Sequence, residues 1–129
     1  MKSLVAVLMV GTGGFIGAVL RYLLSVAGQR FSITFPHGTL WANFLGCLLL
    51  GVITAVATDT ESLSPSARLF LATGICGGFT TMSTFTYEMF RFLQDSEYLY
   101  ASLYFAATIA GCGLLFGTGL IITKLMLKA

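Results

Sequence analysis

Four long stretches of this chain carry almost no charge, and that limits its possible folds more than any motif does. They cover residues 4–27, 40–58, 69–90 and 98–125. A helix that crosses the hydrocarbon core of a bilayer needs about 20 apolar residues. Backbone amides in lipid cannot turn to water, so such runs are helical. Only 9% of the 129 residues are charged and 57% are hydrophobic, whereas soluble domains carry roughly a quarter charged residues. The connections are too short to hold a soluble domain. Residues 1–129 therefore read as one all-α membrane domain of four transmembrane helices. The start, Met1-Lys2-Ser3 before an apolar run, has the look of a signal peptide, but the run continues to Ala27 and more spans follow, so it reads as the first span.

The third stretch breaks its own pattern. Residues 74–85 read Gly-Ile-Cys-Gly-Gly-Phe-Thr-Thr-Met-Ser-Thr-Phe. Three glycines loosen a helix, and four hydroxyls offer partners to backbone groups that come free. Non-helical backbone at membrane depth persists only where it is buried in protein or lines a wet cavity. In transporters, such breaks handle ions through exposed carbonyls and half-helix termini. The expectation is a broken third helix that handles an ion.

The positive charges show almost no sidedness. With four spans, Lys2, Arg68, Lys124 and Lys128 fall on one side, and Arg21, Arg30 and Arg91 on the other. Orientation follows Lys/Arg asymmetry, so a four-to-three split predicts insertion both ways round. Such a chain would assemble as an antiparallel dual-topology homodimer, with the inverted symmetry that larger transporters obtain from internal repeats.

The remaining polar residues inside the spans are few. Thr39, Asn43 and Gly46 share a face of the second helix. Asn43 either bonds a neighbouring helix or points into a polar lumen. Tyr104, Thr108 and Cys112 form a weakly polar stripe on the fourth helix. Arg21 reads either as an interfacial anchor or as a vestibule cation that concentrates anions. Glu88 is placed to pair with Arg91 at i, i+3. Gly13 with Gly17, Gly14 with Ala18, and Gly113 with Gly117 have the spacing that lets helices approach closely. Cys47, Cys76 and Cys112 read as small buried residues, and His37 as a solvated loop residue.

This inventory disfavours several classes. There is no nucleophile–base set, so an enzyme is not expected. A proton-coupled exporter of the small multidrug type needs an acid within the bilayer, and the first helix has none between Lys2 and Arg21. What remains is a passive pore lined by neutral donors and the positive edges of aromatic rings, which suits a small hydrated anion. The small multidrug type is kept as the alternative.

At this point the residues resemble the Fluc (CrcB-type) bacterial fluoride channels. The resemblance rests on Gly14-Phe15-Ile16-Gly17-Ala18 with Arg21-Tyr22, on Gly38-Thr39 leading to Asn43 and Gly46, and on Gly77-Gly78-Phe79-Thr80-Thr81-Met82-Ser83-Thr84-Phe85 with Glu88. It implies an antiparallel homodimer with two fluoride pores in the bacterial inner (plasma) membrane, exporting cytoplasmic fluoride and conferring resistance to it. Its partners would be fluoride, a second copy and the lipid bilayer, with no nucleic acid. It implies a structural Na+ at the dimer centre, held by the backbone carbonyls of Gly77 and Thr80. Asn43 and Phe85 would line a pore, supported by Ser83, Thr84, Thr39, Tyr104 and Thr108, and Arg21 would be the vestibule arginine. One position departs: where the family offers a second phenylalanine ring edge-on, this chain has Met82.

Overall fold

The structure is a computed structural model that describes residues 2–129, with side chains from Ser3 onward. Met1, and the Lys2 side chain counted in the charge balance, lie outside the described residues. Every element among the described residues is helical. Three helices are long and apolar enough to cross a membrane: α1 (Lys2–Gln29), α2 (His37–Asp59) and α6 (Tyr98–Lys128).

The other expected span is a composite. It opens with α3 (Pro65–Arg68), where the Ser64 hydroxyl accepts from the Ala67 amide and Pro65 occupies the first turn. Ser at the N-cap and Pro just inside satisfy or remove amides that have no intrahelical partner. A π-helical stretch, Leu69–Cys76, follows, then one turn, α4 (Gly77–Phe79). Thr80 and Thr81 are extended. Helix α5 (Met82–Gln94) then restarts, with the Thr81 hydroxyl capping the Thr84 amide.

The glycines of this span do not make the break. None of the chain's described glycines has a positive φ, and Gly74, Gly77 and Gly78 stay helical. Two of them are close-packing points instead. A Cβ on Gly74 would meet the Gly13 Cα at 2.9 Å, and one on Gly78 would meet the Gly14 Cα at 3.0 Å. The expectation that glycines loosen this helix is corrected: they let α1 lie against it, and two threonines interrupt it.

Gly13 and Gly17 behave as their spacing predicts, because a Cβ at either would strike backbone of the composite span. Gly113 and Gly117 do not, since a Cβ at either meets nothing within 4 Å. Helices α2 and α6 approach each other through Gly51, Gly111 and Gly119 instead, which face Phe116, Phe44 and Leu48.

At one end of the bundle, Asp59 and Lys124 pair at 3.1 Å. The Lys124 ammonium, with the Thr58 hydroxyl, holds the Asp59 carboxyl below the usual carboxylate range. The ends of α2 and α6 therefore lie on one side, as an even number of crossings between them requires. At the other end, Leu40, Phe85, Phe92, Ala101 and Tyr104 form a buried cluster. Large apolar side chains such as Phe15, Leu114 and Met126 point outward from α1 and α6, as they must when lipid is the solvent.

Candidate functional site at the helix break

The break between α4 and α5 frees backbone groups, and specific side chains take them up. The Thr81 amide, which a continuous helix would give to the Gly77 carbonyl, donates to Asn43 Oδ1 at 2.7 Å. Asn43 Nδ2 donates back to the Thr81 carbonyl at 3.2 Å. One buried amide side chain thus pairs with both polar groups of one extended residue. Asn43 thus binds the neighbouring span, the first of its two readings, and it also borders a cavity.

Arg21 Nε donates to the Gly78 carbonyl at 3.2 Å. The Cys76 carbonyl accepts from both the amide and the hydroxyl of Thr80, each at 2.9 Å. Among the described contacts no donor reaches the carbonyls of Gly77 or Thr80. These neutral oxygens, with the Phe79 carbonyl between them, are free at the break, and that chemistry fits a hard cation, which takes oxygen ligands.

A cavity of about 330 Å³ opens beside the break. Asn43, Thr80, Thr81, Met82, Phe85 and Thr108 are among its lining residues. Phe85 is buried, while Met82 is 65% exposed. Thr108 is 5% exposed, and its hydroxyl is a buried polar atom with no hydrogen-bond partner. Such orphans are rare, and a buried hydroxyl left unpaired costs about 1–3 kcal/mol.

Beyond Phe85 the polar residues resume. The Glu88 carboxylate accepts from Thr39 Oγ1 at 2.8 Å and from the Tyr104 hydroxyl at 2.6 Å. Tyr104 is fully buried, its ring centroid 5.0 Å from that of Phe85. Glu88 also borders a second cavity, of about 440 Å³, with Arg91, Asp95 and Glu97 at its rim. Phe85 lines the first cavity and Glu88, three residues on, lines the second.

Of the expected site residues, Asn43, Met82, Phe85 and Thr108 border the first cavity, whereas Thr39 and Tyr104 border neither cavity and meet at the Glu88 carboxylate. Ser83 and Thr84 belong to the hydroxyl cluster around Thr81 and do not border the first cavity. Two residues matter more than the sequence suggested. The expected Glu88–Arg91 pair does not form, because the carboxylate turns inward to Thr39 and Tyr104. The spacing held a clue: Glu88 lies between the buried Phe85 and Phe92, on the inward face of α5. Thr81 carries the break's geometry, and its place at an N-cap before an apolar helix was the signal. Glu88 places an acid within the bundle, though on the third span and not on the first helix, whose lack of an acid disfavoured an exporter.

Comparison with known proteins adds an independent line. The family described as "CrcB-like protein, Camphor Resistance (CrcB)" matches residues 8–120. A protein of Chlorobaculum tepidum named fluoride-specific ion channel FluC is 48% identical over 119 residues, covering 92% of this chain and 94% of its own. One of the same name from Prosthecochloris aestuarii is 49% identical over 106 residues, covering 82% and 83%. Another from Clostridium perfringens is 49% identical over 98 residues, covering 75% and 77%.

Proposed function

This chain belongs to the CrcB-like family, and from that premise we propose that it is a passive, fluoride-selective channel of the bacterial inner membrane. The observation that carries the proposal is the Thr108 hydroxyl, buried and unpaired at the wall of a cavity that Asn43 and Phe85 also line. A small anion stripped of water needs many neutral donors, and a spare buried hydroxyl is one. An aromatic edge adds a weak positive surface. A fixed cation there would hold the ion too tightly to conduct, because passage requires binding that also releases.

The path runs from the first cavity past Phe85 and Tyr104 to the second. Thr39 and Tyr104 keep Glu88 satisfied, so that its oxygens are turned to donors rather than to the passing ion. Arg21 ties α1 to the break and draws anions toward that end. Met82 keeps the cavity's wall apolar where the family offers a ring.

One protomer supplies one set of these residues. We infer an antiparallel homodimer with two paths, in which the free Gly77 and Thr80 carbonyls of both copies face a central Na+. The ion would neutralise the carbonyl dipoles where two breaks meet, and its role is structural. Export needs no energy source of its own. A potential of 100 mV, inside negative, is worth about 2.3 kcal/mol per charge, which favours roughly fifty-fold less anion inside.

Glu88 supports a second reading, a proton-coupled exporter of the small multidrug type, since a titratable group within the bundle is what such a carrier requires. Fluoride efflux from liposomes separates the two. Rapid efflux set by the membrane potential and unchanged by a proton gradient is expected. Efflux that follows the proton gradient would establish the exporter, and none from well-folded protein would overturn both.

A further inference from the structure

The three cysteines come from three different elements, α2, the π-helical stretch and α6, and border one cavity. Cys47, Cys76 and Cys112 all line the 330 Å³ cavity, and all are free thiols. Cys47 and Cys112 lie on α2 and α6, which pack against each other along the bundle. Both are half-buried, whereas Cys76 is 2% exposed. The Met82 thioether lies on the same wall. The partnerless Thr108 hydroxyl stands one helical turn before Cys112 on α6 and is available to a ligand.

We propose that this cavity is a binding site for a soft, thiophilic metal cation, held between Cys47 and Cys112 with Met82 and Thr108 beside it. Thiolates and thioethers select soft ions over hard ones. Among the described residues no three His, Cys, Asp or Glu side chains are grouped to hold a metal. Two sulfur ligands suit a soft ion of low coordination number and not tetrahedral zinc. With a divalent soft ion, the two thiols form two metal–sulfur bonds and release two protons, with no electron transferred. The product is neutral, which matters in a low-dielectric crevice where unpaired charge is costly.

The test uses the full-length protein in detergent and Hg2+ as the probe. Stoichiometric Hg2+ should remove two maleimide-reactive thiols per chain and release two protons per chain. Cys47→Ser/Cys112→Ser should do neither, and Cys76→Ser should do both. Cys47→Ala/Cys112→Ala guards against a folding defect of the serine pair. No loss of reactive thiols, or the same proton release from the double variants, would overturn the site. A second arm rests on the conduction path proposed above. If the cavity lies on it, Hg2+ should slow fluoride efflux at least tenfold in the parent chain and not in the double variants. Binding without block would leave the metal site standing and overturn the cavity's place on the path.

Discussion

Asn43 binds Thr81 through both ends of its amide, and few single side chains in this chain have as much depending on them. Asn43→Ala should leave the Thr81 amide and carbonyl without partners in a buried setting, at about 1–3 kcal/mol for each unsatisfied group. Thermal unfolding in detergent measures the loss, and an unchanged midpoint would mean that the break is held otherwise. Asn43→Asp separates structure from conduction. The carboxylate still accepts from the Thr81 amide but repels its carbonyl, and it places a negative charge beside the proposed anion path. Fluoride flux should fall by more than tenfold, and unchanged flux would remove Asn43 from the lining. Tyr104→Phe takes a 2.6 Å bond from Glu88, and hydrogen bonds to charged groups contribute about 1.5–3 kcal/mol. A drop in stability of that order is expected, with the intact Thr39 bond preventing complete loss of the fold.

The elements divide into close-packed helices and one deliberately interrupted span. Gly17 and Gly113 make a matched pair for testing this. Gly17 lies against the backbone of the composite span, and Gly113 has open space. Gly17→Ala should destabilise by about 1–3 kcal/mol through overpacking. Gly113→Ala should be neutral or stabilising by up to about 1 kcal/mol, since alanine is the better helix former. Equal effects in a thermal melt would contradict the packing described here. Both glycines have G-x-x-x-G spacing, so a pattern common to packed and unpacked faces could not tell them apart. The pattern depends on sequence separation, whereas packing depends on which way the face turns once the other helices are in place.

At the scale of the whole molecule, the exposed apolar faces suit lipid, and the proposed second copy would meet the free carbonyls at the break. If a central Na+ is held by both protomers, the purified protein should melt later as Na+ rises. Each tenfold increase above the dissociation constant adds about 1.4 kcal/mol, because a ligand that binds only the folded state stabilises it by mass action. A melting point indifferent to exchange of Na+ for a large organic cation would remove the ion from the assembly. Copies locked in one orientation by added lysines should lose flux when alone and regain it when both orientations are expressed together. Flux from a single locked orientation would exclude the antiparallel arrangement.

The long uncharged runs were sufficient to establish a helical, membrane-spanning chain, because lipid leaves the backbone no other way to satisfy itself. The polar residues 74–85 were also sufficient to locate an interruption in the third span. Which residues made it was not legible. A glycine is read as flexible from its own chemistry, but its role here depends on an α1 backbone lying against it, some sixty residues earlier in the chain. Thr81 is extended because Asn43, on another helix, takes the hydrogen bonds that a continuous helix would have made. Glu88 turned inward for the same kind of reason: Thr39 and Tyr104 offer two neutral donors inside the bundle. Local pattern determines what a segment can be, and contacts between distant segments decide which of its polar groups are spent and which, like the Thr108 hydroxyl, remain free.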